Sequence, residues 1–312
     1  MTLGIGLVGA GAVAELHARA LAQTSGVTLR AVTDRDEGRA SDLASRAGAA
    51  ARLTLTDLLD DPAVDAVYVL TPAESHVGIA RHCLHAGKHV LIEKPVAPTP
   101  DEIETVAREA RAAGLVAFPG HNYLYLPECA RVIRQARQGS LGAVRYVSVT
   151  YAIRHPEALA AHYGSVLDEV MVHHAAITLA LCGRPDAVHG GVSTPAWQKL
   201  RTDDQAWMAW EYSSGCTALM FASFAVDDTS ADPVTFSVKV LGTEGSAAMS
   251  WRSLTGTGGP FAVGLPLYEE TYVHEAAAFR DAVTEGRSPL SNLNDAAEIA
   301  RLLRTVRQGV ST

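Results

Sequence analysis

Along residues 1–119 short apolar runs alternate with longer stretches in which apolar side chains return every three or four positions. The runs Leu3–Val8, Thr28–Thr33, Ala66–Leu70, His89–Ile92 and Leu115–Phe118 predict strands. The stretches between them, Ala12–Gln23, Asp36–Ala47, Glu74–Ala86 and Pro100–Ala113, predict amphipathic helices. The second and fourth open on acidic residues, which suit a helix N-terminus. Strand–helix alternation of this kind predicts an α/β fold, a doubly wound parallel sheet with helices on both faces.

After Gly120 the pattern changes. A helix is expected near Pro127–Gln138, a strand near Val144–Tyr151 and an apolar helix over Ser165–Leu181. Strands then follow one another: Gln205–Tyr212 and Cys216–Phe224 flank the turn Ser213-Ser214-Gly215. Phe236, Val238 and Val240 alternate with Ser237 and Lys239, as on a half-buried strand. Gly256-Thr257-Gly258-Gly259-Pro260 reads as a loop, and helices over Thr271–Thr284 and Leu293–Gln308 close the chain. This half predicts an α+β domain with a large, mainly antiparallel sheet. The expected division is 1–120 and 121–312, in keeping with 312 residues at roughly 100–200 per domain.

Composition narrows the partners. With 48% hydrophobic and 19% charged residues the chain has the make-up of an ordinary globular protein. A formal charge of −8 disfavours nucleic acid and anionic membranes as partners, although backbone amides and one lysine suffice for a small anion. Cys83, Cys129, Cys182 and Cys216 form no paired motif, which fits a reducing cytoplasm. The glycine-broken start lacks the basic region of a signal peptide, and no apolar run reaches the ~18 residues of a membrane span. His82, Cys83, His85 and His89 do not converge by spacing, so no metal is expected.

Val8-Gly9-Ala10-Gly11-Ala12-Val13-Ala14 follows the first expected strand and opens the first expected helix. In that context Gly9 permits a tight turn, Gly11 lets the backbone approach a pyrophosphate, and Ala14 lets the helix pack on the strand. Phosphates would rest on the helix N-terminus at Ala12 and Val13. This is the Rossmann dinucleotide-binding pattern. Asp34 ends the second strand, where a carboxylate accepts the ribose hydroxyls of NAD and repels the extra phosphate of NADP. Arg35 beside it can stack on adenine or meet a 2′-phosphate. NAD is the expected cofactor and NADP the alternative.

From Leu70 the chain reads Leu-Thr-Pro-Ala-Glu-Ser-His-Val-Gly-Ile-Ala, and later Ala-Gly-Lys-His-Val-Leu-Ile-Glu-Lys-Pro. These stretches resemble the Gfo/Idh/MocA family, named for glucose-fructose oxidoreductase, inositol dehydrogenase and a rhizopine-catabolism protein. Its marks are a Thr-Pro turn, here Thr71-Pro72, and a Glu-Lys-Pro motif, here Glu93-Lys94-Pro95. The similarity continues through Gly242-Thr243-Glu244-Gly245 to the last helix. It implies that Lys94 lies near the nicotinamide and a substrate hydroxyl, with Glu93, Thr71 and Pro72 on the cofactor side. His76 either lies by the cofactor or caps the next helix. By residue chemistry alone, Lys94 is either an acid/base group at a strand-end crevice or a surface lysine before a turn.

The family's second signature has the form G-G-x-L-x-D-x-G-x-H, and residues 164–173, Gly-Ser-Val-Leu-Asp-Glu-Val-Met-Val-His, follow its frame. Glu169 takes the aspartate position and Met171 the glycine position, and His173 falls on the catalytic histidine. Glu169 and His173 are i and i+4, so a carboxylate there can orient the imidazole. Asp168 is the alternative carboxylate. His173 is the candidate general base, Lys94 the group polarising the same oxygen, and His174 a packing residue. Ala176 stands where many members carry a polar substrate contact.

The resemblance implies hydride transfer between NAD(P) and an alcohol or ketone carbon of a sugar, cyclitol or polyol. A dihydrodiol- or biliverdin-type reductase and a non-catalytic NAD(P)-binding regulator are the alternatives, and retention of Lys94 and His173 favours an enzyme. His121, Asn122 and Tyr123 are substrate-pocket candidates by the family's pattern; Tyr151, Arg154, His155 and Tyr163 are weaker ones. Trp197, Trp207, Trp210 and Trp251 fall in the sheet region and serve either the core or a homodimer or homotetramer interface formed by that sheet.

Overall fold

The computed structural model describes residues 2–155, 164–196, 202–252 and 260–309. Tyr163, Trp197 and residues 256–259 of the expected loop lie outside them. Two compact units are present, Met1–Tyr125 with Glu269–Glu298, and Leu126–Tyr268 with Ile299–Thr312.

The first unit carries a parallel sheet built from β1 (Leu3–Val8), β2 (Val27–Thr33), β3 (Ala50–Ala51), β4 (Ala66–Val69), β5 (His89–Ile92) and β6 (Ala117–Pro119). Their spatial order is β3-β2-β1-β4-β5-β6. The reversal beside β1 creates the crevice at which such sheets bind ligands. β1 and β4 are buried at every position, because helices cover both faces of the sheet, and this is why they read as unbroken apolar runs. Those helices are α1 (Ala12–Gln23), α2 (Glu37–Ala47), α3 (Leu55–Leu59), α4 (Ala73–His85) and α5 (Pro100–Ala113). The bounds of α5 are set chemically: Thr99 and Glu102 form a reciprocal capping box, and Gly114 closes the helix at φ 67°. β3 and α3 were not anticipated, being too short for any periodic signal.

A C-terminal segment joins this first unit. Helix α8 runs Pro260–Glu285, longer than the pattern suggested, and α9 runs Leu293–Arg307. Phe279 of α8 is fully buried, edge-to-face on Tyr68 and on Phe118. Arg280 donates to the Ser25 carbonyl at 2.6 Å, and Arg19 pairs with Glu269 at 2.8 Å. The first unit therefore runs to Tyr125 and takes back residues 269–298, whereas the sequence division placed all of 121–312 together. Local pattern carries no information about which sheet a late helix packs against.

The second unit holds β7 (Val144–Ala152), β8 (Ala187–Ser193), β9 (Gln205–Glu211), β10 (Thr217–Ser223), β11 (Val234–Gly242) and β12 (Ser246–Arg252), in the order β12-β11-β7-β10-β9-β8. All neighbours are antiparallel except β7 and β10. Helices α6 (Pro127–Arg137) and α7 (Val172–Cys182) belong to the same unit. The strands alternate as period 2 demands, with Met208, Trp210, Ala218 and Met220 buried, and Trp207 and Leu219 pointing the other way. Trp210 is thus a core residue, Trp251 packs on the Phe236 ring, and Trp207 is 49% exposed.

Candidate cofactor cleft and catalytic residues

The strand ends beside β1 open into a cleft of about 950 Å³. Of the expected cofactor residues, Gly9, Gly11, Ala12, Val13, Asp34, Arg35, Thr71 and Pro72 all line it. Gly9 has φ 105°, and a Cβ there would stand 2.8 Å from the Leu70 carbonyl, so only glycine fits the turn. Gly11 caps α1, and a Cβ there would meet nothing within 4 Å. The space over Gly11 is the cradle a pyrophosphate needs, with the N–H groups of the first turn of α1 available as donors. Asp34 accepts the Ala10 N–H at 2.7 Å through Oδ2 and the Asp36 N–H at 2.8 Å through Oδ1. This fixes the carboxylate at the cleft rim with lone pairs to spare for ribose hydroxyls. A dinucleotide fits this set of groups.

Sequence reasoning missed Arg39, Leu53, Thr54 and Leu55, which also line the cleft. Leu53 is an apolar side chain 71% exposed next to Arg35 and Arg39, a setting for a flat aromatic ring. Thr54 and Asp57 form the capping box of α3, and that T-x-x-D spacing was the one available signal.

His76, Glu93 and Lys94 do not line the cleft. The ring nitrogens of buried His76 lie against two carbonyls, Nε2 on Thr71 and Nδ1 on Pro95 at 3.0 Å. The imidazole therefore ties the Thr-Pro turn to the Glu-Lys-Pro segment. Glu93 is buried, its Oε2 accepting the Lys94 N–H at 2.7 Å and its Oε1 facing His17 Nε2 at 3.1 Å. Burial opposes its charge, yet the His17 contact and the Lys94 charge hold its carboxyl below the usual range. Lys94 is partly exposed just past the C-terminal end of β5.

His121 and Asn122 are buried and engaged within the first unit. His121 Nδ1 lies 2.9 Å from Ser291 Oγ, and Asn122 donates to Thr271 Oγ1 at 2.7 Å. Burial pulls the His121 pKa down to about 4, keeping the ring neutral. Tyr123 is buried in the same 3₁₀ turn.

In the second unit the signature segment begins with a π-helical turn, Leu167–Met171, that runs into α7. Such turns concentrate at functional sites. Asp203 holds its start, accepting the Leu167 N–H at 3.2 Å. The carboxylate of Asp168 accepts from Ser165 Oγ at 3.0 Å and pairs with Arg307. Those bonds engage the Asp168 carboxylate within the second unit. His173 and His174 are both buried. His174 stacks on Phe236, neither ring nitrogen has a hydrogen-bond partner among the described residues, and burial lowers its pKa to about 3. It is a neutral core residue. Met171 and Ala176, the two departures from the family pattern, are buried. Tyr151 is buried with its hydroxyl 3.4 Å from His155 Nε2, and Arg154 is exposed, its N–H donating to Asp227. Among the described residues no group of three His, Cys, Asp or Glu is arranged for a metal ion.

Residues 3–121 match the oxidoreductase family with an NAD-binding Rossmann fold, and residues 130–248 match the GFO/IDH/MocA C-terminal domain. The chain belongs to the GFO/IDH/MocA oxidoreductase family. It is 32% identical over 179 residues to 4-carboxy-2-hydroxymuconate-6-semialdehyde dehydrogenase of Sphingobium sp., spanning 57% of each chain. To UDP-N-acetylglucosamine 3-dehydrogenase of Acidithiobacillus ferrooxidans it is 30% identical over 222 residues, 71% of this chain and 67% of the other. The crystal structure of GenD2 from gentamicin A biosynthesis, in complex with NAD, superposes with a TM-score of 0.80 at 28% identity, covering 99% of this chain and 94% of that one.

Proposed function

We propose that this chain is an NAD-dependent dehydrogenase that removes hydride from a CH–OH carbon of a sugar, cyclitol or polyol, or reduces the matching ketone. The observation that carries this is the cleft over Gly11 and Asp34 in the same unit as Lys94 at the end of β5. The bound nicotinamide supplies the hydride acceptor or donor. Gly9, Gly11 and the first turn of α1 hold the phosphates, and Asp34 takes the ribose hydroxyls, which favours NAD over NADP. His173 takes the proton of the alcohol as hydride leaves, Glu169 orients it, and Lys94 polarises the oxygen. Tyr151, Arg154, His121, Asn122 and Tyr123 are assigned to substrate selection, the buried ones by shaping the walls.

The exposed face of the second sheet carries Trp207, Leu219, Phe221, Tyr146 and Leu241 on β9, β10, β7 and β11, and we assign it to self-association of two or four copies. No helix among the described residues is long and apolar enough to cross a membrane, and the proposed location is the cytoplasm.

The test is reduction of NAD, followed at the NADH absorbance band, with a panel of cyclitols, aldoses and nucleotide sugars. Turnover lost in Lys94→Ala and His173→Ala, with NAD binding retained, is the expected result. Cofactor binding without turnover of any panel member by the wild type would favour the regulator instead.

A further inference from the structure

The four cysteines form no motif along the chain, yet the second unit brings two of them together. Cys182 is the last residue of α7, and Cys216 stands just before β10. Their Sγ atoms lie 4.0 Å apart although 34 positions separate them, and neither is in a disulfide. Bonds that do not involve sulfur already hold both segments in place. Gly183 closes α7 at φ 76°, its N–H donating to the Leu179 carbonyl at 2.8 Å. Tyr212 and Cys216 bracket the turn between β9 and β10. There the Tyr212 N–H donates to the Cys216 carbonyl at 3.1 Å, and the Gly215 N–H donates to that of Tyr212 at 2.8 Å. The Tyr212 hydroxyl then ties turn to helix, donating to the Gly183 carbonyl at 3.2 Å. Cys182 is partly exposed and Cys216 is buried, so the pair has one thiol open to solvent and one behind it. Cys83 on α4 and Cys129 on α6 are fully buried.

We propose that Cys182 and Cys216 are a site of reversible oxidation, closed by a small-molecule disulfide and reopened by a dithiol. The Cys182 thiol loses its proton and attacks one sulfur of the reagent. The reagent's S–S bond breaks, a mixed disulfide forms on Cys182, and one reagent thiol leaves with the proton. The Cys216 thiol then loses its proton and attacks Cys182 Sγ, which forms the Cys182–Cys216 bond and releases the second reagent thiol. Two protein thiols are oxidised by two electrons, and the reagent is reduced to two thiols. Burial pushes both thiols up from the ordinary cysteine range, and the Cys182 contact and Arg145 on β7 oppose this at Cys216 without cancelling it. Attack is therefore slow at neutral pH and quickens as pH rises, because the thiolate is the nucleophile. The closed pair fastens the far end of the helix that carries His173 to the β9–β10 hairpin. It closes a loop of about 35 residues and so restricts the unfolded chain.

The inference is independent of the proposed reaction, and its test needs neither substrate nor cofactor. The full chain is incubated at about pH 8.5 with bis(2-hydroxyethyl) disulfide, quenched with N-ethylmaleimide in denaturant, and mapped by peptide mass spectrometry without reduction. The expected product is a peptide pair joined through Cys182 and Cys216, separated by dithiothreitol, with Cys83 and Cys129 recovered as maleimide adducts. In Cys216→Ala the mercaptoethanol adduct should stay on Cys182, since no second thiol is there to displace it. The oxidised wild type should melt about 5 °C or more above the reduced form, and Cys216→Ala should show no such gain. Absence of the joined peptide, an unmodified Cys182 in Cys216→Ala, or a bond joining Cys182 of two chains each overturns the proposal. Equal oxidation of Cys83 and Cys129 would also overturn it, because the reagent would then be acting on opened chains rather than on a built contact. If Cys216→Ala does not fold, the wild-type peptide map and melting shift decide alone.

Discussion

The two sheets of this protein solve burial differently. In the first unit helices lie on both faces, β1 and β4 have no exposed position, and chemistry is confined to the loops at the strand ends. In the second unit the strands alternate, and one face leaves Trp207 and Leu219 in solvent. A sheet covered twice has only its ends for ligands, whereas a sheet covered once has a whole face for a partner. The first arrangement therefore fits the cofactor cleft, and the second leaves a face for the self-association proposed above.

Removing the two proposed catalytic groups, Lys94 at the loop end of the first sheet and His173 on α7 of the second unit, should have the largest consequence. His173→Ala and Lys94→Ala should each lower turnover by about 10²–10⁴-fold while NAD still quenches intrinsic fluorescence with near wild-type affinity. Retained turnover in either would remove that residue from the chemistry. Gly11→Val places a branched side chain in the open space over the helix end, and NAD affinity measured by calorimetry should fall by about 100-fold or more, roughly 2.7 kcal/mol. The melting temperature should hardly move, in contrast to Gly9→Val, where positive φ and the Leu70 carbonyl make the fold itself suffer.

On the other sheet, Trp207→Glu with Leu219→Glu should shift the sedimentation coefficient to that of a single chain. Unchanged mass would return that face to solvent. Asp34→Asn should narrow the preference for NAD over NADP by about tenfold, roughly 1.4 kcal/mol, read as the ratio of kcat/KM values.

The smallest effect is in stability against pH. The folded-state pKa of Glu275 stands above its unfolded value, so its contribution is full below the unfolded value of about 4.3 and is lost as pH rises towards the folded one, at up to ~1.4 kcal/mol per pH unit. Glu275→Gln removes that slope, and its denaturation midpoint should gain on the wild type between pH 5 and 8. Glu93, His121 and His174 have the opposite sign. Their depressed values give stability above the unfolded pKa that is lost as pH falls, near pH 4 for His121 and near 3 for His174.

Much of the cofactor site was legible because its parts are local. Gly9, Gly11 and Asp34 sit where a strand meets a helix, and strand and helix periods announce such junctions within a dozen residues. Helices α1 and α5 begin and end where their periodicity placed them. Leu53 escaped notice because an exposed leucine joins the cleft wall only when β3 and α3 carry it round to Asp34, and Arg39 because a surface arginine on α2 gives no signal of facing a cleft. That Asp168 is engaged by Ser165 and Arg307 was not legible, since Arg307 lies far along the chain.

The sequence by itself determined most of the longer elements, the alternation that separates a doubly covered sheet from a singly covered one, and which residues are candidates for acid/base work. Tertiary structure decided that α8 from Glu269 onward belongs to the first unit, that His121, Asn122 and His76 spend their polar atoms on internal bonds, and that Glu275 is buried with no hydrogen-bond partner among the described residues. The physical reason is range. Periodicity, capping and turn chemistry act over a few residues, whereas burial and the charge state of a carboxyl depend on partners brought from more than a hundred positions away.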